Sequence, residues 1–356
     1  MRLTPARLVR VLVAVVGVEC AVALAARSVS AWHLFNGEAR PVDYLATVGL
    51  VWVIVLAMVA LVVSRRVRQL DEQLTTQGEH LALHEAPRQR LAAIVHRTER
   101  LIDEPDQLQI ALQPIVDLTT GQWVTAEALA RFPDNARPEI WFNDAHEAGV
   151  GTALEHLAAE RAMATLPQLP RAVHLSINAS PSLILDPVFG ELLQRTGRDI
   201  ERVVVEITEH ASVTAYEDIR AALLPYRERG VKLAVDDTGA GYSSFAHVLR
   251  LRPDVVKLDR SLLADIDHDA ARRAFVTAIV LMALELGARV TAEGVESAAE
   301  LETLTNLGVD SVQGFLLARP STDPVVWATW ARRDWLTHTG ALAGSNQPHA
   351  SGVTYR

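Results

Sequence analysis

The chain has 356 residues, long enough for one large domain plus appendages, and its apolar excess lies in the first 65 of them. A formal net charge of −9 argues against binding DNA or RNA polymers through a general positive field. The single cysteine, Cys20, leaves no disulfide framework and no thiolate metal site.

Residues 8–26 form a first apolar segment with Arg10 near its start and Glu19 inside it. Residues 44–63 form a second, uncharged run of 20 residues, long enough to cross a bilayer. Arg2, Arg7 and Arg10 flank the first segment and Arg65, Arg66 and Arg68 follow the second. By the positive-inside rule both flanks face the cytoplasm, so 1–64 is predicted to be a two-span hairpin in the cell membrane with 27–43 as an external loop. Ala23-Leu24-Ala25 also fits a signal-peptide cleavage site, which keeps that alternative open. An intramembrane carboxylate such as Glu19 is costly; it fits either a protonated contact with a partner helix or a sensing role.

Residues 65–104 are charged and helix-compatible. Val63, Val67, Leu70, Leu74 and Leu81 recur in steps that include heptad-like spacings, interrupted at Gly78 and Pro87. A signalling helix and a passive spacer are both compatible with this linker. From about 105 to 337 strand-like and helix-like segments alternate. Strands are expected at 110–118, 123–129, 173–177, 203–207, 233–235, 255–258, 288–291 and 311–317. The first two are joined by a short Thr-Thr-Gly turn, which suits an antiparallel hairpin. The rest alternate β and α, which predicts an α/β fold: a TIM-like (β/α)8 barrel with an antiparallel first strand. Residues 338–356 are small and polar and are expected to be disordered.

At or just past the strand ends stand Glu127, Asn178, Glu206, Asp236 with Asp237, Lys257, Glu293 and Gln313. Parallel barrel strands converge at their C-terminal ends, where barrel enzymes keep their active sites. So many carboxylates in one small volume call for cations, and all-oxygen donors select Mg²⁺ or Mn²⁺, with Ca²⁺ as a non-productive occupant. Only Lys232 and Lys257 among 34 cationic residues are lysines, so a lysine at a strand end beside carboxylates stands out. Each position alone has an ordinary explanation, such as a helix cap, a turn or a surface ion pair. The joint pattern carries the inference.

The stretches QPIVDLTTGQWVTAEALARF (113–132), LSINAS (175–180), VEITEH (205–210), VDDTGAGYSSF (235–245), VVKLDRSLL (255–263), TAEGVE (291–296) and QGFLLARP (313–320) resemble the EAL family. That family comprises phosphodiesterases of the bacterial messenger cyclic di-GMP. The resemblance implies hydrolysis to linear pGpG at a two-metal site with Mg²⁺ or Mn²⁺. Glu127, Asn178, Glu206 and Asp236 would ligate the first metal and Asp237 the second, with Glu293 acting near it. Lys257 would orient or help activate the attacking water. Gln113, Leu129, Arg131 and Gln313 would contact the substrate or shape the mouth, and Glu209 and Glu296 would hold the Gly-rich loop after Asp236. A homodimer at the bacterial inner membrane, with the barrel on the cytoplasmic side, is the implied assembly. The loop departs from the family pattern: it reads DDTGAG rather than DDFGTG. That departure leaves a second reading, a receptor that binds cyclic di-GMP without hydrolysing it.

Overall fold

The computed structural model describes residues 17, 24, 41–207, 216–238 and 248–335, the side chains of 41–48, 50–51, 74–86 and 237 excepted. Glu19, Glu209, the Gly-rich loop at 239–247, the tail 338–356 and nearly all of the first apolar segment lie outside these residues. The chain divides into two compact units, Met1–Arg90 and Leu91–Arg356.

In the second unit eight strands close into a barrel in sequence order. They are β1 (Gln109–Asp117), β2 (Trp123–Arg131), β3 (His174–Asn178), β4 (Val203–Ile207), β5 (Lys232–Thr238), β6 (Val255–Leu258), β7 (Arg289–Ala292) and β8 (Ser311–Val312). The first strand runs antiparallel to both β2 and β8, and every other neighbouring pair is parallel. The expected barrel and its reversed first strand are therefore present.

Side-chain alternation divides each strand between two environments. One set, including Leu112, Leu175, Ile177, Val203, Val205, Leu233, Val235, Val256, Leu258 and Val290, enters the hydrophobic layer between sheet and helices. The other set puts Gln113, Glu127, Ser176, Glu206, Asp236, Lys257, Thr291 and Ser311 among the buried polar residues. Removing the first set from water drives closure, at about 1.5–3 kcal/mol for each large aliphatic side chain. The second set is what closure concentrates.

Two strands depart from expectation. The fifth continues past Val235 to Thr238, and its register against β6 shifts there: Val235 pairs with Val256, but Thr238 pairs with Leu258. Two residues, Asp236 and Asp237, thus stand opposite one, Lys257, which is a β-bulge. The eighth strand stops at Val312 instead of reaching Leu317. Gly314 lies so close to the Val295 backbone that an added Cβ would stand 2.0 Å from its carbonyl oxygen, so the chain turns there.

A helix spans Pro41–Asp103 and runs through both Gly78 and Pro87, the residues that interrupt the heptad-like spacing of its apolar side chains. A proline inside a helix removes one backbone hydrogen bond without necessarily ending it. Trp52, Val53, Ile54, Val55, Met58, Val59, Leu61 and Val62 are exposed along its early turns. Among the described residues, which leave out nearly all of 1–40 and the side chains of 41–48 and 50–51, no helix is long and apolar enough to cross a membrane, so the expected two-span hairpin finds no support in them.

Candidate active site

Lys257 is the hub of the barrel mouth. Its side chain is 1% exposed, and its Nζ lies 2.6 Å from Glu293, 2.8 Å from Glu206, 3.2 Å from Asp236 and 3.7 Å from Glu127. These side chains come from β2, β4, β5, β6 and the turn after β7. The other lysine, Lys232, starts β5 and so belongs to the opposite end of the barrel.

Hydrogen bonds fix the remaining oxygens. The Gln313 amide donates to Glu127 Oε2 at 2.6 Å and to Gln113 Oε1 at 2.8 Å, while the Gln113 amide donates to the Ala318 carbonyl at 3.0 Å. Ser176 Oγ donates to Glu206 Oε1 and Lys257 Nζ to Glu206 Oε2. Asn178 is the register partner of Glu206 across β3 and β4 and is exposed at the rim. Being two residues on, it shares a strand face with Ser176. Leu129 and Arg131 follow Glu127 at the same two-residue step, both half-buried, and Arg131 Nη1 donates to the Ala130 carbonyl at 2.8 Å. Burial draws the Arg131 guanidinium down from its ordinary range, opposed by the nearby carboxylates of Glu127 and Glu139.

The turns that aim these groups are visible in the same motifs. Gly294, directly after Glu293, has φ +69°, and a Cβ there would stand 2.8 Å from Arg260. Arg260 also donates to the Gly294 carbonyl and pairs with Glu296 at 2.7 Å. Ser180, Asp259 and Ser297 each cap the helix that follows a site strand, accepting from the amides of Leu183, Ser261 and Glu300. Such caps satisfy amides that the first helical turn leaves unpaired.

Four carboxylates around one ammonium leave negative charge in excess. Burial pushes Glu206 up to about 8, Lys257 opposes the rise, and Glu127 and Asp236 add to it. Burial and the Asp236 charge likewise hold Glu293 well above the usual carboxylate range. Burial alone would favour neutral Lys257, but Asp236, Glu127, Glu206 and Glu293 hold its pKa well above the ordinary lysine value. The ammonium is therefore charged at neutral pH.

The donor set fits a hard divalent cation. Its atoms are oxygens, and its charge exceeds what one ammonium offsets. Asp236 Oδ1 and Glu293 Oε1 face Lys257 without a directed hydrogen bond, and Gln313 Oε1 and Thr238 Oγ1 are buried without a partner. Among the described residues no three histidine, cysteine or carboxylate groups already form a metal shell; the ammonium stands between the carboxylates.

The family model described as "EAL domain" matches residues 96–320. The chain belongs to the EAL domain family. It is similar to the cyclic di-GMP phosphodiesterase NbdA of Pseudomonas aeruginosa, 32% identical over 228 residues, which cover 60% of this chain and 29% of NbdA. It is similar to Klebsiella pneumoniae BlrP1, solved as a complex with calcium and cyclic di-GMP. That match has 33% identity and a TM-score of 0.55, and covers 61% of this chain and 57% of that one. A third likeness is to the MucR phosphodiesterase in complex with cyclic di-GMP, at 29% identity and a TM-score of 0.55, covering 60% and 97%. The chain spans only 27%, 36% and 29% of three curated relatives it matches.

One member of this EAL site escaped the sequence reading. Ser176 is fully buried, is the register partner of Glu127 and holds Glu206 by its hydroxyl. Its signal was available, since it stands two residues before Asn178 and so on the same strand face.

Proposed function

We propose that this chain is a membrane-anchored, metal-dependent phosphodiesterase that hydrolyses cyclic di-GMP to linear pGpG. The observation that carries the reading is the cluster of Glu127, Glu206, Asp236 and Glu293 about Lys257 at the C-terminal rim of the barrel. The named activities of its EAL relatives support the same substrate.

Glu127, Asn178, Glu206 and Asp236 would hold one divalent ion and Asp237 a second. Bound divalent cations supply Lewis-acid stabilisation of charge developing on the phosphoryl oxygens. The residues supply placement. Ser176 and Gln313 hold Glu206 and Glu127 by one oxygen each, so neither carboxylate rotates freely. Lys257 keeps the carboxylates together and presents a charged donor for orienting the attacking water. Arg131 offers a planar, bidentate donor pair to a phosphate. Water adds to one phosphorus, its P–O3′ bond breaks, and the 3′ oxygen leaves as a hydroxyl, giving one linear dinucleotide. A dianionic ligand entering a mouth of four carboxylates is repelled unless cations precede it, so binding itself should be metal-dependent.

The test is incubation of the full chain with cyclic di-GMP and Mg²⁺ or Mn²⁺. Appearance of pGpG supports the enzyme, whereas binding without turnover establishes a receptor. The anchor is supported by the uncharged run at 44–63 and the exposed apolar side chains from Trp52 to Val62. Release of the protein from membranes by carbonate would sink that part, and sedimentation of the purified protein tests the expected homodimer.

A further inference from the structure

The residue after Arg131 begins a small hydrophobic cluster separate from the main core. It contains Leu101, Leu108, Phe132, Trp141, Ala145 and Leu154. Phe132 stacks face to face on Trp141, with ring centroids 4.6 Å apart and planes 4° from parallel. The Trp141 indole N–H donates to Asp134 at 3.0 Å, and Asp134 also accepts from the Ala136 amide, so the turn leaving β2 is tied to the helix Pro138–Glu147. That turn includes Asn135 at φ +55°, a left-handed conformation uncommon for a residue with a side chain.

The long helix closes this assembly from its last turns. The Arg97 guanidinium lies 4.2 Å from the Trp141 ring centroid and pairs with Asp144 of the same helix at 2.6 Å. A cation over an indole face is attracted by the ring quadrupole, and an arginine there both stacks and ion-pairs. Beside the joint a cavity of about 350 Å³ is lined by Arg97, Arg100, Leu101, Asp134 and Trp141, so Trp141 has room to shift if Arg97 is withdrawn. Only residues 132–137 separate Arg131 from the helix, so such a shift reaches the strand end directly.

We infer that Arg97, acting through Trp141 and Phe132, is a positioning residue that holds Arg131 in place for the dinucleotide. The linker's last turns thereby set substrate affinity. The inference rests on the reading of Arg131 as a phosphate contact.

A double-mutant cycle in the full chain tests it. The readout is the Kd for cyclic di-GMP in Ca²⁺, where binding is measured without requiring turnover, alongside kcat and KM in Mn²⁺. Arg97→Ala is expected to weaken binding about tenfold and raise KM correspondingly, with kcat held within about twofold. Arg97→Lys, which keeps a cation over the ring, should recover most of the loss. Trp141→Phe, which keeps the stack on Phe132 but loses the indole N–H, should weaken binding about threefold. In an Arg131→Ala background, Arg97→Ala should change Kd by less than about twofold. An equal loss from Arg97→Ala in both backgrounds, or a fall in kcat with KM unchanged, overturns the inference and leaves the proposed function standing. A wild-type chain that binds no cyclic di-GMP overturns both.

Discussion

The two ends of the barrel treat charge in opposite ways. At the end where β1 finishes and β7 and β8 begin, carboxylates have matched partners. Asp117 accepts from the Thr119 and Thr120 amides, the Thr120 hydroxyl and the Arg289 guanidinium. Asp310 accepts from the Val290 amide and faces Arg289 at 3.6 Å, while Asp254 takes the Leu233 amide and Arg227. At the mouth, four carboxylates share the single ammonium of Lys257. The first arrangement stabilises the fold by itself. The second is under-compensated and has use for added cations.

That contrast can be broken from either end, and the largest effect is expected at the mouth. Glu127→Ala should lower cyclic di-GMP turnover by about a thousandfold or more, measured as pGpG formed, while far-UV circular dichroism stays unchanged. Retained turnover would show that Glu127 holds nothing essential.

Lys257→Met should destabilise the metal-free protein by about 3–5 kcal/mol, because it leaves the buried carboxylates without their cation. Urea unfolding in EDTA reads this directly. Saturating Mn²⁺ should recover part of the loss, and equal loss with and without metal would contradict the shared role of ammonium and metal.

Asp117→Ala should cost about 2 kcal/mol through its lost charged hydrogen bonds, with kcat and KM within about twofold of wild type. Burial raises the Asp117 carboxyl, but the hydrogen bonds from Arg289 and Thr120 outweigh it, so its pKa is lowered on folding. A depressed carboxylate contributes stability above its unfolded pKa, about 4, and loses it as pH falls through the folded value. The gap between Asp117→Asn and wild type should therefore narrow below about pH 4.

Metal-free Glu206 gives the smallest signal and the opposite sign. Its pKa is raised to about 8 on folding, so between the ordinary carboxylate value and that point the folded protein holds the extra proton. Stability without metal should fall as pH rises through this window, and Mn²⁺ binding at pH 7 should release about one proton from Glu206, with any further release coming from Glu293, whose carboxyl is raised as well. Calorimetry in buffers of different ionisation heat measures that release, and zero release would remove Glu206 from the ligand set.

Most of the mouth was legible because strand periodicity and residue chemistry agree there. Apolar runs announce β2 to β7, and each run ends on a carboxylate, amide or ammonium whose position predicts the rim. Ser176 carries the same periodicity, but a serine in a strand has no charge to mark it. The end of β8 is not legible in the sequence, because the run Phe315–Leu317 is as apolar as a strand. Only the close approach of Gly314 to Val295, a contact between distant segments, turns it aside. The Arg97–Trp141 contact leaves no local pattern at all, because a cation and a ring 44 positions apart share no periodicity.

The extra residue in β5 has its own consequence. Asp236 and Asp237 together span what Lys257 spans alone, so the chain length at this point sets which way Thr238 faces. Fusing the pair into a single aspartate would conserve the acidic character that a sequence comparison notices. It would also rotate Thr238 by half a strand repeat, and a site could be lost with its chemistry apparently intact.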